Sequence, residues 1–241
     1  PSVPDMLRSR QVPFAACCYH DPEAPWPTLG WDNARSAARV AEYLLDLGHR
    51  DFGIVVGITA DNDRAADRLA GFRQALKRRG VRIPREAIVE SPYTVVDARR
   101  AMAQLLRLPE RPTAVMCGND ILAYGALQEC LWQDLAVPQA VSITGFDDIE
   151  MAAHCRPGIT TLQVPAFEMG QRAAGLLLEA IDAPGTATSL SHVHFELPLL
   201  VRGTTGPVPG RAVPVAPRRR AAADDSGAGV GSGTVAARAR A

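Results

Sequence analysis

Short apolar runs alternate with amphipathic stretches along most of this chain. Phe52-Gly53-Ile54-Val55-Val56-Gly57, Ala87-Ile88-Val89-Glu90, Ala114-Val115-Met116-Cys117 and Val141-Ser142-Ile143-Thr144 are too short for helices and suit strands buried on both faces. Between them the apolar residues recur at helical spacing. Leu69, Phe72 and Leu76 precede Lys77-Arg78-Arg79-Gly80, where basic residues meet a helix C-terminus and glycine supplies the cap. Leu44, Leu45 and Leu47 lead likewise into Gly48-His49-Arg50, Ala98, Met102 and Leu105 form a third stripe, and Ala123, Leu127 and Leu131 mark a fourth. A last helix is predicted from about Pro165 to Ile181. This β-α-β-α order predicts an α/β fold with a doubly wound parallel sheet. Before residue 50 the pattern offers one strand, around Pro13 to Cys18, and one helix. Residues 192–202 alternate at their start and carry Pro198, which fits an edge strand or a crossing segment. From Gly203 the composition collapses to Pro, Gly, Ala and Arg without periodicity, so residues 204–241 are expected to be a disordered tail.

Polar residues gather where the predicted strands end, the edge at which open α/β sheets bind ligands. Asn119 follows the strand ending at Cys117, Asp147 follows the strand ending near Gly145, and Arg68 is placed at the opening of the helix after Gly57. Arginine offers a fork of donors, aspartate only acceptors, and asparagine one of each, a set that a polyhydroxylated molecule satisfies. Tyr93, past the strand ending at Glu90, adds a ring that can lie against a sugar or base. Asp120 reads as a simple helix N-cap, and Asp147-Asp148 can equally be a turn.

The sequence shows no Gly-x-Ser-x-Gly elbow and no phosphate-binding Gly-x-x-x-x-Gly-Lys loop. His49, beside a helix C-cap, reads as structural. His154 lies near Asp147 and Asp148, but no metal site or cofactor is assigned, and the residues fit binding better than catalysis. Five cysteines without metal-ligand spacing suit reduced thiols in a cytoplasm. The zero net charge hides an asymmetry: residues 206–241 carry six Arg and two Asp, which leaves the preceding part slightly acidic and without a nucleic-acid-binding surplus. No apolar run is long enough to span a bilayer.

Five segments, in order and spacing, resemble the effector-binding domain of LacI/GalR-family bacterial transcription regulators. They are Leu44-Leu45-Asp46-Leu47-Gly48-His49-Arg50, Arg68-Leu69-Ala70-Gly71-Phe72, Gly118-Asn119-Asp120-Ile121-Leu122-Ala123-Tyr124-Gly125, Ile143-Thr144-Gly145-Phe146-Asp147-Asp148 and Ile159-Thr160-Thr161. The resemblance covers about residues 10 to 203 and implies a type I periplasmic-binding-protein fold, with two α/β lobes and a sugar or related metabolite held between them. It implies a homodimer, a cytoplasmic location, and DNA contact only through an N-terminal helix-turn-helix that is not in this sequence. By position, Arg68, Asn119 and Asp147 match effector-contacting residues, joined by Tyr93 and Asn62 from more variable loops. The implied layout is a partial first lobe over 1–49, a second lobe over 50–160, a return to the first over 161–191, and a crossing or edge strand over 192–203. The crossings are expected near Gly48 to Asp51, Thr160 to Val164 and Leu190 to His194. The chain starts Pro1-Ser2-Val3, without initiator Met or leader, so its start reads as an internal boundary and the first lobe as incomplete. An exported sugar-binding protein, which uses the same fold, is the alternative.

Overall fold

A computed structural model describes residues 3–182 and 192–208. In chain order the elements are α1 (Val3–Ser9), β1 (Ala16–Cys17), β2 (Thr28–Gly30), α2 (Asn33–Asp46), β3 (Phe52–Gly57) and α3 (Asp63–Arg78). A single turn at Arg85–Ala87 leads to β4 (Ile88–Ser91), α4 (Val95–Leu106), β5 (Ala114–Cys117), α5 (Asp120–Trp132), β6 (Ser142–Thr144) and α6 (Glu150–His154). The chain continues through β7 (Thr161–Leu162), α7 (Ala166–Asp182), β8 (His192–His194) and β9 (Leu199–Leu200).

The larger sheet runs β4-β3-β5-β6, all parallel, with Ile54 paired to Ile88 on one side and to Met116 on the other. Its inner strands β3 and β5 carry only apolar residues and glycine because helices cover both faces. Ile54, Val56 and Met116 meet Leu44, Phe72 and Leu76 of α2 and α3. The alternate residues Val55, Val115, Cys117 and Ile143 meet Met102, Leu105, Leu122 and Leu127 of α4 and α5. Burying each large apolar side chain in this way contributes about 1.5–3 kcal/mol. Four helices start on side-chain caps: Asp32 accepts from the Arg35 amide, Asn62 from Ala65, Thr94 from Asp97 and Asn119 from Leu122. A smaller parallel sheet, β1-β2-β8, forms the second body with α1 and α7, and β7 and β9 pair antiparallel between the two.

The structure revises four expectations from the sequence. The region before residue 50 holds α1 and β2 as well as the expected strand and helix; β2 has only three residues, all buried, so it shows no alternation to read. The first crossing falls at Trp31-Asp32 rather than at Gly48 to Asp51. Helix α2 already packs on α3, where a Cβ at Gly71 would overlap the Ala34 carbonyl. His192–His194 pairs with β2 in the smaller sheet, so the last crossing follows residue 194 instead of spanning 190–194. Its expected start at Leu190 lies outside the described residues, as do residues 183–189 of the return segment. Finally, Thr204 and Thr205 are buried, not tail: Thr204 accepts from the Ile143 amide at 2.8 Å, and its hydroxyl donates to the Ile143 carbonyl at 2.7 Å. Residues 209–241 of the expected tail lie outside the described residues.

Candidate functional site

In the larger sheet, strand order reverses between β3 and β5, and a crevice opens at the carboxyl ends of strands at such a switch point. A cavity of about 480 Å³ lies there, walled by the strand-end loops and, from the opposite side, by Cys18, Trp31, Val164 and Ala166. Arg68, Asn119, Asp147, Tyr93 and Asn62 all line it, so the structure brings the five residues singled out in the sequence onto one surface.

Arg68 sits in the second turn of α3 rather than at its opening, because Asn62 takes the cap and the helix begins at Asp63. Its guanidinium is heavily committed. Nε donates to Asn33 Oδ1 at 2.9 Å, Nη1 donates to the Gly118 carbonyl at 2.6 Å, and Cζ lies 3.6 Å from the centroid of the Phe146 ring. Nη2 faces Asp147 Oδ1 at 3.6 Å. Burial pulls its pKa down, and the Asp147 carboxylate opposes that shift. Asn33 also accepts from Trp31 Nε1 at 3.1 Å and donates to the Cys18 carbonyl at 3.4 Å, which ties the smaller body to the cavity wall. The sequence reading passed over Asn33; its place in the first turn of α2, right behind a capping Asp, was the available signal.

Asp147 holds an uncommon backbone with φ of 114°, followed by Asp148 at 57°. The conformation is fixed from the neighbouring segment: the Asp147 amide donates to the Leu162 carbonyl at 3.0 Å and its carbonyl accepts from the Val164 amide at 3.2 Å. Burial raises the Asp147 pKa, with Arg68 and then Arg64 opposing. Asn119 spends Oδ1 on the Leu122 amide at 2.9 Å, and Asn62 Nδ2 donates to the Tyr93 hydroxyl at 3.4 Å. Tyr93 lies over Gly57, where a Cβ would run into its phenol.

Asp120 is not the cap its position suggested. Asn119 caps α5, and the fully buried Asp120 side chain turns inward, accepting from the Thr161 hydroxyl at 2.6 Å and the Ile149 amide at 2.9 Å. It therefore joins the start of α5, the start of α6 and the crossing strand β7. Burial pushes its pKa up to about 6, against the pull of those two hydrogen bonds and with Asp147 and Asp148 adding to the rise. Among the described residues no group of His, Cys, Asp and Glu is arranged to hold a metal ion, and His154 ends α6.

Residues 41–205 match the model of the periplasmic binding protein-like domain. The HTH-type transcriptional repressor CytR of Escherichia coli (strain K12) is 36% identical over 188 residues, 78% of this chain and 54% of that protein. The chain belongs to the LacI-type branch of the periplasmic-binding-protein-like family. The HTH-type transcriptional repressor PurR of Klebsiella pneumoniae subsp. pneumoniae is 35% identical to this LacI-type domain over 198 residues, 81% of the chain and 58% of PurR. A LacI family transcriptional regulator from Enterococcus faecium, solved with bound ribose, matches at 25% identity and a TM-score of 0.73, over 85% of this chain and 75% of that one. These relatives are transcriptional regulators, not enzymes, and the chain spans about half the length of the curated relatives it matches. Within the LacI-type domain, no described helix is long and apolar enough to cross a membrane.

Proposed function

We propose that this chain is the effector-sensing part of a LacI-type transcription regulator, and that it holds a sugar or related small metabolite between its two bodies. The observation that carries this reading is the cavity at the β3/β5 switch point, where Arg68, Asn119, Asp147, Tyr93 and Asn62 converge. Such a set of donors and acceptors beside an aromatic ring suits a polyhydroxylated ligand. The ribose in the Enterococcus faecium regulator supports the same ligand class. Occupancy has a physical route outward: Asp147 is bonded through its backbone to residues 162 and 164, which lead between the bodies. A ligand that pulls on Asp147 biases their relative orientation.

The regulator works as a homodimer in the cytoplasm, reads DNA through an N-terminal helix-turn-helix of the longer protein, and catalyses no reaction. Repressor relatives favour this reading over an exported sugar-binding protein. Titration calorimetry of the chain against ribose, glucose, cellobiose and their phosphate and acid derivatives tests it. Saturable heat with at least one of them, lost in Asp147→Ala, is the expected result, and no heat with any of them would overturn the proposal.

A further inference from the structure

The side chains lining the cavity are unevenly matched in charge. Arg68 faces Asp147 at 3.6 Å, and Asp148 is taken up by Arg202 Nη2 at 2.6 Å and Gln163 Nε2 at 3.0 Å. Arg64, in the first turn of α3, lines the same cavity from its exposed rim. Among the described residues no hydrogen bond or ion pair reaches it, from Asp63 and Asp67 on its own helix or from any other acid. Its charge is close enough to act on both Arg68 and Asp147. The cavity therefore sets two guanidiniums, Arg64 and Arg68, against one carboxylate, Asp147, that is not already taken up.

Hydrogen-bonding capacity is lopsided in the same direction. Asn119 has spent its oxygen on the Leu122 amide and keeps its NH2 group, and the Tyr93 hydroxyl accepts from Asn62 and keeps its proton. Arg64 adds a full guanidinium fork, whereas Asp147 is the lining carboxylate left facing ligand space. Sugar hydroxyls can accept from these donors but bring no charge to set against the second guanidinium. A group that only accepts, and that carries negative charge, meets it.

We infer that the effector of this cavity is an anionic carbohydrate derivative, bearing a phosphate or carboxylate group, and that Arg64 is the residue that reads this group. The inference rests on the proposed sugar-sensing role and narrows its ligand class. Phosphoester and carboxylate share the chemistry; the planar fork of Arg64 suits either in a two-bond contact.

The test uses matched sets: ribose with ribose 5-phosphate, and glucose with glucose 6-phosphate and glucuronate, titrated into the full chain at low and moderate salt. Within a set that binds, the anionic member should bind about tenfold or more tighter than its neutral parent, in line with a charge-assisted hydrogen bond. That ratio should shrink with added salt and collapse toward one in Arg64→Gln, with partial retention in Arg64→Lys. Preference for phosphate over glucuronate, or the reverse, assigns the group. A neutral sugar that binds as tightly as its anionic partners, or a ratio that survives Arg64→Gln, overturns the inference and leaves the sugar-sensing reading standing. Absence of binding across all sets removes both.

Discussion

Arg68 Nη2 and Asp147 Oδ1 face each other at 3.6 Å in the cavity wall, near enough to balance charge and too far for a direct hydrogen bond. A ligand hydroxyl reaching both accepts from the guanidinium and donates to the carboxylate. Asp147→Asn, which keeps the shape and tolerates the backbone, is expected to cost about 1.5–3 kcal/mol of affinity for the sugar that the wild-type chain binds. Titration calorimetry reads the loss. Equal affinity would take Asp147 out of the contact.

Replacing Arg68 tests a different property. Lysine keeps the charge but loses the two bonds to Asn33 and the Gly118 carbonyl and the flat contact with Phe146. Arg68→Lys should therefore lower stability without ligand by about 1.5–3 kcal/mol, seen as an earlier urea midpoint. The sequence had suggested a residue free for ligand; the structure makes it a structural tie as well.

Asp120 and His49 give the fold opposite responses to pH. The Asp120 pKa is raised on folding from 3.8 to about 6, so the folded state holds its proton more tightly. Its contribution is complete below pH 4 and is lost as pH rises through 6, by about 2–3 kcal/mol. His49 is buried, and desolvation lowers its pKa from 6.5; its neutral form donates through Nε2 to the Gly206 carbonyl and accepts at Nδ1 from the Thr113 hydroxyl, each at 3.0 Å. That contribution is present above pH 6.5 and is lost as pH falls. Urea midpoints at pH 4–7 should fall less steeply with rising pH in Asp120→Asn than in wild type. In His49→Gln, the loss on acidification below pH 6.5 should shrink.

Two glycines separate binding from stability. At Gly71 a Cβ meets the Ala34 backbone, which cannot move without parting α2 from α3, so Gly71→Ala should destabilise by about 1–3 kcal/mol. At Gly57 it meets the far end of the Tyr93 side chain, which can swing away. Gly57→Ala should leave the melting temperature within a few degrees of wild type while weakening sugar binding.

Strands β3 and β5 were legible in the sequence because helices cover both their faces and every residue in them is apolar or glycine. Helices α2 to α5 and α7 were legible because their apolar residues recur at helical spacing, whereas α1, which buries nothing, and the five-residue α6 gave no such signal. Burial and spacing also carried Asn119, Asp147 and Tyr93 to one edge. What they did not carry was direction: whether Asn119 or Asp120 caps α5 depends on where the first helical turn closes, and the left-handed backbone of Asp147 comes from bonds to residues 162 and 164. Strand β2 and the packing of Thr204 escaped for a related reason. Each is too short to show a period and is held by partners far away in the chain.

That last feature bears on how the protein is made. Thr204 and Gly206 complete a lobe whose other parts begin at Asp32, joining Ile143, Ser142 and His49. A nascent chain that has emerged from the ribosome as far as β6 exposes the backbone edge at Ile143 and a histidine lacking its acceptor. It stays in that state until more than fifty further residues follow. The lobe is thus sealed by its most distant segment, after the smaller sheet has received β8, and its completion during synthesis is tied to translation of the stretch between.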